Sequence, residues 1–110
     1  MTRFITTDGV DCAKGVPFVA KTASYTLTTS DFSVVFTATG TGVTATLPTA
    51  ASAVSSGNSH LFEVKNHSSS THFITVAVSG GGNIEDVTSF TLLPAESLLL
   101  ISDGTTWHIT

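Results

Sequence analysis

Charge is what this sequence has least of. Asp, Glu, Lys and Arg make up 11% of its 110 residues, against roughly a quarter in an ordinary soluble protein. Four bases face eight acids, for a net charge of −4. No cluster of bases exists, which argues against nucleic-acid binding by phosphate neutralisation and against attraction to an anionic membrane surface. Cysteine is nearly absent too. Cys12 stands alone, so no disulfide can form within the chain, and with Lys14 as the nearest base in sequence it reads as a small buried hydrophobe rather than a reactive thiol. No apolar run approaches the ~18 residues of a membrane-spanning helix. The longest, Leu98-Leu99-Leu100-Ile101, suits a buried strand. The first residues, Met1 to Thr6, lack the basic start and apolar stretch of a secretory signal, so synthesis in the cytosol without export by that route is expected. Helical periodicity is missing as well: Leu, Glu and Lys never recur on one stripe at spacings of three and four.

Thr and Ser fill the gap and form about a third of the chain. With 41% apolar residues and a mean hydropathy of +0.34, 110 residues can bury one core but not two. Thr, Val, Phe and Ile recur in short runs broken by Gly, Pro, Asn, Asp and Ser, the composition of strands and turns. Residues 1–22 are the least regular and read as an N-terminal arm with one short strand, Phe18 to Lys21. Residues 23–110 read as the domain. Strands are expected at Ser24 to Thr28, Phe32 to Thr37, Val43 to Leu47, His60 to Asn66, Phe73 to Val78, Phe90 to Leu93, Ser97 to Ser102 and Trp107 to Thr110. Residues 49–59 are either one short helical turn ended by Gly57 or an open loop. Asp103-Gly104 is a hairpin signal, since both residues tolerate positive φ. Strands every eight to twelve residues predict an all-β, compact antiparallel sandwich or barrel-like domain. Two strands, around Val34-Val35-Phe36 and Leu98 to Ile101, are apolar on both faces, which points to a second face covered by another subunit.

Chemistry finds little footing. His60, His67 and His72 flank a Ser-rich loop, but no H-x-H or H-x-x-x-H pair occurs and no cysteine joins them, so no metal site is assigned. A trimer axis gathering three copies of one histidine is the one arrangement that would change this. Glu85-Asp86 is a poor acid/base pair, because neighbours on a strand point to opposite faces. No G-x-S-x-G elbow surrounds a serine. Gly80-Gly81-Gly82 lacks the Lys and helix of a phosphate loop. Asn66-His67-Ser68 spells a glycosylation sequon, read here as coincidental without a secretory signal. No catalytic residue and no cofactor are expected, and the chain is not read as an enzyme. Trp107 is expected as a core anchor; its alternative, shared with Tyr25, is an aromatic face for a sugar.

From Tyr25 to Thr110 the motifs run in a particular order: Asp31-Phe32 before a Val-Val strand, Val43 to Pro48, Phe62 to Asn66, Ile74 to Val76, Gly80 to Ile84, and Glu96 to Trp107. This order resembles a module of structural proteins of tailed bacteriophages, found in fibres, tail appendages and capsid decoration (cement) proteins. Its most specific piece is Ser102-Asp103-Gly104-Thr105-Thr106-Trp107. The resemblance implies a homotrimer and a virion structural role, and it carries over no catalytic residue. A chain of this length without shaft repeats suits a capsid decoration protein better than a fibre. It would be made in the host bacterial cytoplasm, sit on the capsid exterior, and bridge copies of the major capsid protein by multivalent contact. The alternative is a fibre or tail-appendage module that binds a host-surface receptor or glycan. The apolar arm residues Phe4, Ile5, Val16 and Phe18 are the expected shell contact, since an exposed apolar arm needs a partner. No nucleic acid or membrane partner is expected.

Overall fold

A computed structural model describes residues 16–110 and shows a chain that winds back and forth between two sheets. Eleven strands carry it: β1 (Phe18–Lys21), β2 (Tyr25–Thr26), β3 (Ser33–Phe36), β4 (Thr44–Leu47), β5 (Val54–Ser55), β6 (Asn58–Ser59), β7 (Leu61–Asn66), β8 (Ile74–Val78), β9 (Ser89–Leu92), β10 (Ser97–Ser102) and β11 (Trp107–Ile109). One sheet has the order β1-β3-β7-β10-β11 and the other β2-β4-β8-β9; β5 and β6 form a separate hairpin. Among the described residues helix is confined to two short 3-10 turns, Ala51–Ala53 and Ser79–Gly81. The all-β expectation holds.

The antiparallel expectation does not. β1 pairs parallel with β3 and β3 with β7, while β2 pairs parallel with β4 and β4 with β8. Three successive coils, β1–β2, β3–β4 and β7–β8, thus lie side by side, each giving one strand to each sheet. Parallel neighbours need a crossover connection; here a strand in the opposite sheet supplies it in place of a helix. After β8 the path reverses. β9 runs antiparallel to β8, β10 to β7 and β11 to β10. The hairpin expected at Asp103-Gly104 joins antiparallel β10 and β11. The turns between β1 and β2, β3 and β4, and β7 and β8 are corners that carry the chain across the sandwich.

Period-two alternation decides what each strand buries. Val34, Phe36, Phe62, Val64, Leu100 and Trp107 point inward from one sheet, and Ala45, Leu47, Ile74, Val76 and Leu92 from the other, all at 3% exposure or less. Burying each large side chain contributes about 1.5–3 kcal/mol. Phe62 and Trp107 stack at a tilt, 5.5 Å between ring centroids. The result is a plate of 38 × 33 × 19 Å, its thin dimension fitting two sheets about 10 Å apart with their outward side chains.

Buried polar groups lock the corners. Asp31 accepts from the Tyr25 hydroxyl at 2.8 Å and from the Thr28 amide at 2.9 Å, while its own amide donates to the Thr28 carbonyl. Ser70 Oγ accepts from the Ala38 amide at 2.9 Å and so ties the corner after β3 to the corner after β7. Asn66, fully buried, donates through Nδ2 to the carbonyls of His72 and Leu92, both at 3.0 Å. Its burial removes the sequon from reach of any glycan. Within residues 49–59 the chain makes the 3-10 turn and then the β5–β6 hairpin. Ser56 and Gly57 both take positive φ, +53° and +79°, as a two-residue type I′ turn requires.

Candidate functional site

Among the described residues His60, His67 and His72 stay apart, while Glu85, Asp86, Asp103 and His108 share the lining of one open hollow. His67 Nδ1 contacts Ser69 Oγ at 2.8 Å and His72 Nδ1 contacts Thr71 Oγ1 at 2.9 Å, each a local turn contact. His60 Nε2 lies 2.6 Å from the Asp31 carbonyl oxygen. Among the described residues no three of His, Cys, Asp and Glu are arranged to hold a metal ion. Glu85 and Asp86 are exposed beside a turn, and Glu85 Oε2 accepts from the Ile109 amide at 3.0 Å. Asp103 caps the β10–β11 turn, accepting from the amides of Thr105 and Thr106 at 2.8 Å and from His108 Nε2 at 2.7 Å. The His108 contact first, then those two amides, pull the Asp103 carboxyl down to about 2 from 3.8. The hydrogen bond to Asp31, with burial and the negative charge of Asp31, pushes the Tyr25 phenol above its ordinary 10.0.

Trp107 is at 0% exposure with its indole nitrogen donating to Pro48. It anchors the core and offers no face to a sugar. Tyr25 is half-buried, and the Lys21 ammonium sits over one face of its ring, 4.3 Å from the centroid.

The surfaces carry more information than any pocket. By register and alternation, the outward rows of the five-stranded sheet read Phe18, Ser33, Glu63, Leu99, then Ala20, Val35, Lys65, Ser97, then Leu61, Ile101, His108. The four-stranded sheet turns out Thr26, Thr46, Ala77, Ser89 and Thr44, Thr75, Thr91. One broad face therefore mixes apolar side chains with Ser33, Glu63, Lys65, Ser97 and His108, its apolar group at Leu61, Leu99 and Ile101, and the other is a field of hydroxyls. The two-sided apolar strands noted in the sequence lie on the first: Val35 and Leu99 are half-buried and Ile101 is 36% exposed. The Thr field was not read from the sequence, although the alternating Thr44-Ala45-Thr46-Leu47 carries its signal.

Of the four expected arm contacts, Phe4 and Ile5 lie outside the described residues. Val16 is half-buried. Phe18 is 63% exposed on β1, the edge strand of the five-stranded sheet. β1 belongs to that sheet through its parallel pairing with β3, from Phe18↔Ser33 to Lys21↔Phe36. A cleft of about 400 Å³ opens between the corner before β3 and the β5–β6 hairpin, lined among others by Pro17, Asp31, Phe32, Ser52, Asn58 and His60. Compared with family models, curated proteins and solved structures, the chain gives no significant match.

Proposed function

We propose that this chain is a virion structural protein, a trimeric capsid decoration protein that stabilises a bacteriophage head by bridging shell subunits. The observation that carries the proposal is the apolar group Leu61, Leu99 and Ile101 turned outward on a charge-poor plate, with Phe18 exposed at the edge of the same sheet. A domain of this size meets its own burial needs with the core between the sheets; a further apolar patch is costly in water unless protein covers it. Broad flat faces suit many modest contacts, and a trimer that engages several shell proteins at once gains avidity without any single strong contact. The role is binding, not catalysis. The order of motifs from Asp31-Phe32 to Asp103–Trp107 is the support for a phage origin.

A second reading, a fibre or tail-appendage module that binds a host-surface glycan, draws on the cleft beside His60. Its hydroxyls, the Asn58 amide and the Phe32 ring are groups that sugars use. An empty-capsid pull-down read against a glycan array separates the two. Capsid binding without sugar binding supports the decoration role; sugar binding without capsid binding overturns it. A chain lacking residues 1–15 retains β1, and its loss of capsid binding would assign the shell contact to the arm.

A further inference from the structure

We propose that the cleft between the corner before β3 and the β5–β6 hairpin binds a neutral sugar. The proposal rests on the glycan reading of this cleft and names the class of saccharide it takes. Asp31 lines the cleft and is only 6% exposed. Its Oδ2 is taken by the Tyr25 hydroxyl and the Thr28 amide. Among the described residues its Oδ1 has no hydrogen-bond partner, and that oxygen is not sealed from solvent as Asn66 Oδ1 is. A carboxylate oxygen left open on a buried side chain is an acceptor for a ligand hydroxyl, and a hydrogen bond to a charged group is of the stronger kind.

The rest of the lining matches a polyol. Ser30, Ser55 and Ser56 lie there with hydroxyls that bond to no other group among the described residues. Asn58 spends one amide hydrogen on the Ser56 carbonyl at 3.3 Å and keeps its Oδ1 and second hydrogen, so it can accept and donate at once. Phe32, half-buried, is the aromatic residue of the wall, an apolar platform for a sugar face. A volume of about 400 Å³ falls within the range of small-molecule sites. Ser56 has a φ of +53°, a conformation that Gly, Asn or Asp takes at less cost. A hydroxyl thus stands at the hairpin tip where the turn alone favours another residue. Charge then selects among sugars. No Lys or Arg is in the described lining, and Asp31 is its one carboxylate. An acidic sugar brings a second negative charge with no such base to meet it, whereas a neutral sugar brings only donors and acceptors.

Amide chemical shifts of the full chain test this during titration with methyl glycosides of glucose, galactose, mannose and N-acetylglucosamine, and with the uronic acids of the first three. At least one neutral glycoside is expected to saturate, moving the amides of Ser30, Phe32, Ser56 and Asn58, with the uronic acids at least tenfold weaker. Ser56→Gly relieves the positive φ and removes the hydroxyl. It is expected to be no less stable than the parent in urea and to bind about fivefold more weakly. Asn58→Ala is expected to weaken binding by a similar factor. A uronic acid that binds as tightly as the neutral glycosides overturns the neutral class and leaves the glycan reading standing. Saturating shifts confined to another part of the chain, or parent affinity in both variants, overturn the cleft assignment. No shift with any of these sugars overturns the glycan reading of the cleft, and the inference with it.

Discussion

The indole Nε1 of Trp107 donates to the carbonyl oxygen of Pro48 at 2.9 Å. This one bond joins the first residue of β11 to the residue that ends β4, across the interior of the sandwich. Trp107 fills the core and at the same time satisfies a backbone acceptor. Trp107→Phe keeps most of the apolar volume and strands the Pro48 carbonyl. We expect a loss of about 2 kcal/mol, read from the urea midpoint. An unchanged midpoint would show that the bond adds nothing.

Asn66 is expected to be the most sensitive polar position. Asn66→Ala leaves the His72 and Leu92 carbonyls without their donor, at about 1–3 kcal/mol for each stranded group. Among the described residues its own Oδ1 has no hydrogen-bond partner, so the side chain's contribution lies in what it donates. Equilibrium unfolding should place this variant below any single Thr substitution on the outward Thr field.

Tyr25 is the only tyrosine, so phenolate absorbance reports it without assignment. Its pKa is expected above 10.0, chiefly from the hydrogen bond to Asp31. A raised pKa means that the folded state favours the neutral phenol. The linked stability is present below pH ~10 and is lost as pH rises through the folded value. Asp31→Asn should bring the titration back toward 10.0; a titration unchanged by that substitution would remove Asp31 as the cause.

The sign is opposite at Asp103. Its folded pKa of about 2 lies below 3.8, so its stabilising contribution is present above pH ~4 and is lost as pH falls toward 2. Melting temperatures of the parent should drop across that window, and Asp103→Asn should flatten the drop. His108→Ala should do so in part, since the Thr105 and Thr106 amides remain.

Much of this fold was legible because alternation is local. Period-two spacing alone sets Phe62 and Val64 against Leu61, Glu63 and Lys65, and the former pair is buried. Phe18 to Lys21 was bounded as observed. Pairing partners were not legible. Thr44-Ala45-Thr46-Leu47 alternates in the same way whether its neighbour runs parallel or antiparallel, and the parallel register of Ala45 with Val76 joins residues far apart in sequence. The β5–β6 hairpin escaped because Ser56 stands where Asn or Asp more often signals a type I′ turn. The outward Leu99 and Ile101 were foreshadowed by the Leu98 to Ile101 run, whereas their place beside Leu61, Glu63 and Lys65 needed the register of β10 with β7.

The most direct test of the proposed decoration role is a reconstruction of phage particles carrying this chain, compared with particles lacking it. The account predicts three-lobed density seated on the outside of the shell at three-fold or quasi-three-fold positions, absent from the deletion particle. Density confined to the tail or its fibres, with an unaltered shell, would contradict it.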